Sequence, residues 1–226
     1  MNILMILTNH TQLGNTGKET GYFLREVAYP YSILKEAGHN INFCSPKGGK
    51  VSADPLSLDY GDDQTIINFY ENDEIQEKLS STNNPENINS NEYKCIVFTG
   101  GHGTMWDFPG NGALERLTRE IYEKNGLVGA ICHGPAIFAN LKLTDGSYLV
   151  SGKKISCFTD DEERHVKLEK EVPFLLESKL ISLGANHTKA DKFQPHVEID
   201  NRVITAQNPP SSSKFGEALV ENLKTI

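Results

Sequence analysis

The segment Gly129-Ala130-Ile131-Cys132-His133-Gly134-Pro135 joins an apolar run to a cysteine, a histidine and a glycine–proline pair. A strand that ends in a nucleophile and reopens as a helix needs small residues two positions to either side, to clear the sharp turn. Ala130 and Gly134 meet that need around Cys132. A cysteine at a helix N-terminus gains thiolate stabilisation from free N–H groups and the helix dipole. His133 supplies an imidazole, although neighbours in a helix rarely point the same way. The plain alternative is a buried structural cysteine, but that does not account for the strand–Cys–His–Gly–Pro order.

Three further segments carry candidate chemistry. Thr99-Gly100-Gly101-His102-Gly103-Thr104 follows an apolar run, and glycines there let backbone N–H groups form an oxyanion hole. It is not a dinucleotide loop, because Trp106 stands where G-x-G-x-x-G needs its last glycine. Gly17-Lys18-Glu19-Thr20-Gly21 is not a P-loop, because Glu19 follows Gly-Lys. Glu19 reads either as a solvated helix-start carboxylate or as one that projects into a site. Thr159-Asp160-Asp161-Glu162-Glu163 reads either as a capping acidic run or as the source of an acid that orients His133. His10, His39, His165, His187 and His196 lack metal-ligand spacing, so no metal is assigned.

These segments need a scaffold. Apolar runs at 3–7, 41–44, 93–99 and 127–131 suit buried parallel strands. Apolar residues at helical spacing predict helices over 22–37, 113–124, 166–183 (broken at Pro173) and 215–223, with a short one over 135–141. Segments 148–150 and 154–158 read as a strand pair, and 197–199 with 202–205 as strands around a tight turn. The alternation predicts an α/β three-layer sandwich, a mostly parallel sheet with helices on both faces. Ligands then collect at the carboxyl ends of the strands. A polar, Asn-rich insert spans about 52–92, with at most short helices such as 73–79. One domain over 1–226 is expected.

Composition narrows the function classes. Hydrophobic residues make up 38% and charged residues 23% of 226 residues, with net charge −8. An acidic chain lacks the basic stripe of a nucleic-acid or membrane-surface binder. Cys44, Cys95, Cys132 and Cys157 contain no CxxC pair, so neither a disulfide scaffold nor a zinc ribbon is indicated. No run has the form of a signal peptide or the length of a membrane span, and a cytoplasmic protein with reduced thiols is expected.

The ordered set Lys18-Glu19-Thr20-Gly21-Tyr22, Gly100-Gly101-His102-Gly103-Thr104, Asp107-Phe108-Pro109, Ala130-Ile131-Cys132-His133-Gly134-Pro135, Phe158-Thr159-Asp160 and Gln207-Asn208-Pro209 resembles the PfpI superfamily. The likeness is to its heat-shock chaperone and glyoxalase III branch, and it spans nearly the whole chain. The resemblance implies a class I glutamine amidotransferase-like, flavodoxin-like fold. It also implies a homodimer and no organic cofactor. Matched position by position, Cys132 is the nucleophile and His133 its histidine. Glu19 matches the carboxylate that hydrogen-bonds the nucleophile, and Glu163 the acid that orients His133. The backbone N–H groups of Gly101 and His133 match the oxyanion hole. Glutamine hydrolysis is disfavoured, because glutamine amidotransferases carry their histidine far downstream of the cysteine, whereas here His133 follows Cys132 directly.

The activity so implied is glutathione-independent conversion of methylglyoxal, or a similar 2-oxoaldehyde, to a 2-hydroxy acid. A cysteine hydrolase on the same elbow, and a stress-response chaperone or protein deglycase, are the alternatives.

Overall fold

The computed structural model describes residues 1–226. In chain order the elements are β1 (Asn2–Ile6), α1 (Leu24–Glu36), β2 (Asn40–Cys44), α2 (Gln64–Tyr70), α3 (Asp73–Ser80), β3 (Cys95–Phe98), α4 (Thr104–Asp107), α5 (Gly112–Glu123) and β4 (Leu127–Ile131). They continue with β5 (Lys154–Ile155), α6 (Asp160–His165), α7 (Leu176–Ser182), β6 (Asn186–His187), β7 (Val197–Asp200), β8 (Val203–Ala206) and α8 (Ser212–Leu223). The short helix expected over 135–141 is a 3-10 helix, Gly134–Ala139.

Six strands form the central sheet in the order β2-β1-β3-β4-β8-β7. All pairs are parallel except β7–β8. Side chains alternate across a strand. In β1, Leu4 and Ile6 therefore join one apolar cluster, with α5, α7 and the 3-10 helix. Ile3, Met5 and Leu7 join the other, with α1, α8 and the 64–79 segment. Both faces are covered, which is why the parallel strands read as unbroken apolar runs rather than alternating ones.

The register places the future site. Ile6 pairs with Phe98, Phe98 with Ala130, and Ile131 with Ala206. The loops after β1, β3, β4 and β8 thus leave one edge together. Order reverses between β1 and β3, the switch point where open α/β sheets bind ligands.

Several expectations are corrected. Segment 148–150 makes only an isolated bridge between Lys142 and Tyr148. Of 154–158, only Lys154–Ile155 is strand, and its partner is β6. Two-residue strands are too short to leave a periodic signal. The helix expected over 166–183 is α7 alone. Lys167, at φ 62°, ends the preceding turn in the left-handed region, and Pro173 lies before α7 begins. The Asn-rich insert also buries apolar side chains, Ile66, Phe69, Ile75 and Leu79. Its asparagines act as caps: Asn72, Asn84 and Asn89 each accept a backbone N–H at the start of a helical turn.

Candidate active site

Cys132 leaves β4 with φ 59°, a left-handed conformation that a non-glycine residue holds only when its surroundings impose it. Those surroundings are two backbone hydrogen bonds. Cys132 N donates to Ala206 O at 2.8 Å, and Phe158 N donates to Cys132 O at 2.9 Å. The turn needs Gly134, since a Cβ there would lie 2.4 Å from Phe98 O. This local twist answers the objection that adjacent residues diverge. His133 Nδ1 lies 3.3 Å from Cys132 Sγ. The Gly101 N–H also faces that sulfur.

The His133 ring is buried and packs 4.5 Å from the Phe158 ring. Its Nε2 sits 2.7 Å from Glu163 Oε2. The second oxygen, Oε1, lies 2.9 Å from Nε2 of His102. One carboxylate therefore serves two imidazoles, whose centroids are 4.2 Å apart. Burial alone would raise the Glu163 pKa, but the two histidines outweigh it and hold the group ionised, at about 2. Burial and the nearby His102 lower the His133 pKa. A neutral His133 whose Nε2–H donates to Glu163 turns its Nδ1 lone pair toward the Cys132 thiol.

Each acidic residue of 160–163 has a separate place. Thr159 caps α6, with Glu162 completing a capping box. Asp160 Oδ2 accepts from Ser178 Oγ at 2.5 Å, and Asp161 is exposed. Glu162 is fully buried and accepts from Phe193 N, Gln207 Nε2 and Asn208 Nδ2 at 2.8, 3.1 and 2.8 Å. That hub explains why the late Gln-Asn-Pro segment belongs to the pattern. Glu163 is the residue that reaches His133.

Glu19 is corrected. It is exposed on the rim of the cavity above Cys132, in a bridge with Gln12. The carboxyl group beside the thiol is that of Glu26, in the first turn of α1 and fully buried. Its neighbours are the Cys132 thiol and the Gly100 backbone, although neither Glu26 oxygen has a partner of full hydrogen-bond geometry. Burial raises its pKa to about 8, so it is protonated at neutral pH. The sequence signal was available. Glu26 lies on the buried stripe of α1 with Val27, Pro30 and Leu34, where a charged residue has no structural reason to be.

Burial, and then the charge on Glu26, push the Cys132 thiol well above its usual range. The thiolate expected from the helix N-terminus is therefore not the resting form. A protonated Glu26 removes its own like-charge penalty and becomes a donor to any thiolate that forms.

His102 was read in the sequence only for its loop, yet its ring shares Glu163 and lines the cavity. His102→Leu should cut kcat by about tenfold, with a smaller effect on KM, because Glu163 loses one of two orienting donors. Steady-state rates of the variant check this. Gly100 is equally constrained: an added Cβ would stand 2.1 Å from Glu26 Oε2 and 2.7 Å from Cys132 Cβ. Gly100→Ala should lower Tm by several degrees and remove most activity, readable by calorimetry and rate together.

His102, His133 and Glu163 also form a group whose donor atoms all lie within 4.8 Å, a trio able to hold a metal ion. Both imidazole Nε2 atoms already face Glu163, so a metal would have to replace those two hydrogen bonds.

Residues 19–222 match the DJ-1/PfpI family. The chain belongs to that family. Across its members, the chain is 30% identical to glyoxalase 3 of Candida albicans, covering 96% of each. It is 29% identical to a glutathione-independent glyoxalase of Saccharomyces cerevisiae, covering 98% of each. Among solved structures, the 24 kDa rapid encystment protein of Francisella tularensis superposes with a TM-score of 0.94 at 37% identity, over 98% of both chains. Glyoxalase III from Candida albicans superposes at 0.89 with 28% identity, over 98% of this chain and 97% of that one. The fold is the DJ-1/PfpI flavodoxin-like α/β fold, and the resemblance drawn from the motifs holds.

Proposed function

We propose that this DJ-1/PfpI chain is a glutathione-independent glyoxalase, converting a 2-oxoaldehyde such as methylglyoxal to a 2-hydroxy acid. One observation carries the reading: Cys132 and His133 line a cavity, with the buried Glu26 carboxyl beside the thiol and Glu163 against His133, as nucleophile, base, acid and orienting carboxylate. The names of the Candida and Saccharomyces relatives support it.

Cys132 Sγ adds to the aldehyde carbon, and its proton passes through His133 Nδ1 to the former carbonyl oxygen. The product is a hemithioacetal. The N–H groups of Gly101 and His133 hold that oxygen while charge develops. His133 then removes the proton from the first carbon, and Glu26 gives its proton to the oxygen of the second. The enediol so formed takes a proton at the second carbon from His133 and returns one from the first hydroxyl to Glu26. The first carbon is oxidised and the second reduced, with no external electron acceptor. Water cleaves the resulting thioester, releasing the 2-hydroxy acid and the Cys132 thiol.

No helix is long and apolar enough to cross a membrane. We place the enzyme in the cytoplasm as a homodimer, which light scattering tests by mass. The function is tested by incubating the protein with methylglyoxal without glutathione. Lactate formed catalytically is the expected result, and turnover of neither methylglyoxal nor any longer 2-oxoaldehyde overturns the reading.

A further inference from the structure

We infer that the natural substrate carries a large apolar substituent, alkyl or aryl, on the ketone carbon of its 2-oxoaldehyde. This rests on the proposed glyoxalase chemistry and concerns the part of the substrate that does not react. The cavity above Cys132 measures about 610 Å³, within the range of roughly 300–1,000 Å³ that holds drug-sized ligands. A three-carbon 2-oxoaldehyde occupies only its floor. There the reactive groups are gathered: Cys132, His102 and His133. Above them the walls are mostly apolar, with Lys18, Glu19 and Asp54 as the remaining polar residues. Asp54 is already engaged, accepting from Thr20 Oγ1 at 2.7 Å and Leu56 N at 2.9 Å.

One wall is built of aromatic rings that lead outward from the nucleophile. His133 packs 4.5 Å from Phe158, and Phe158 packs 6.3 Å from Phe193. Phe193 is held in place at a cost. Its φ is 58°, a left-handed conformation that a bulky residue rarely adopts, and its N–H donates to the buried Glu162 at 2.8 Å. The fold thus fixes a strained backbone that presents a half-buried ring to the cavity. Leu56 is 75% exposed and Val166 38% exposed. Both line the same cavity as Cys132. Large apolar side chains left in water around a catalytic floor are explained by a substituent that covers them.

The test compares methylglyoxal, phenylglyoxal and 2-oxooctanal with the intact protein. Each methylene moved from water onto an apolar wall is worth about fourfold in kcat/KM. The expected result is kcat/KM at least ~50-fold higher for 2-oxooctanal than for methylglyoxal, with most of the gain in KM. Phe193→Asn removes the ring while keeping a residue that tolerates the left-handed backbone. Leu56→Asp alters a side chain that carries no packing. Each should lower the long-to-short ratio by ~10-fold. If methylglyoxal is turned over and the longer substrates show no advantage, the inference falls and the glyoxalase reading stands. If none is turned over, the glyoxalase reading falls. Calorimetry with 2-hydroxyoctanoate and lactate then decides the apolar subsite. Binding ~50-fold tighter for the longer acid, lost in Phe193→Asn, upholds it, and equal binding overturns it.

Discussion

Cys132→Ala should lower glutathione-independent lactate formation by ~10³-fold or more, while leaving the protein folded. The size follows from the mechanism. Without Sγ there is no hemithioacetal, and the remaining groups have no covalent intermediate on which to move protons. The folding expectation follows from where the sulfur sits. Cys132 holds its turn through backbone N–H and C=O bonds to Ala206 and Phe158, which alanine keeps. Loss of one buried sulfur should cost about 1 kcal/mol. Equal rates for wild type and variant would remove the nucleophile from the mechanism. The same variant separates the alternatives: a chaperone independent of the site would still suppress aggregation of a heated client.

The second large effect is expected at Glu26, and it has two readouts. Glu26→Gln keeps the shape and a donor toward the sulfur but cannot give and regain a proton. Isomerisation should slow, so that kcat falls ~10²- to 10⁴-fold with little change in KM. In wild type the rate should decline as pH rises past about 8, where Glu26 ionises. The residual rate of the variant should lack that limb. Stability responds in the opposite sense to an ordinary salt-bridged carboxylate. Because burial raises the folded pKa from 4.5 to about 8, the folded chain keeps a proton that the unfolded chain has lost. Wild-type stability should therefore be greatest below pH 4.5 as far as this group is concerned, and fall through the window up to about pH 8. The loss is on the order of a few kcal/mol. Denaturant titrations across that window should show the slope in wild type and a shallower one in Glu26→Gln. Parallel slopes would mean that Glu26 is ionised in the folded state.

The sheet was legible because both its faces are buried, so β1, β3 and β4 print as unbroken apolar runs. The elbow was legible because sterics demand small residues at fixed positions around Cys132. The paired carboxyl group was misread for a physical reason. Glu19 belongs to the motif-bearing loop after β1, but Glu26 lies in the first turn of α1, where only tertiary packing against Gly100 brings it to the sulfur. The His102 side chain carries no local signature, because the glycines around it mark a backbone role. Its link to Glu163 spans 61 residues, a separation no local pattern encodes. The acidic run could not be resolved from composition, since the four carboxyl groups differ only in the direction each points from α6.

That last point carries a consequence for how the chain tolerates change in length. Glu162 and Glu163 are neighbours with unlike partners: one ties α6 to the 193–208 segment, the other faces the two imidazoles. Successive positions on a helix are about 100° apart. Inserting or deleting a single residue between Thr159 and Glu162 would rotate the wrong carboxyl group toward His133 and leave Phe193, Gln207 and Asn208 without their acceptor. A library that varies the identity of exposed Asp161 should therefore stay rich in active clones, while one that varies the length of the same turn should be nearly barren.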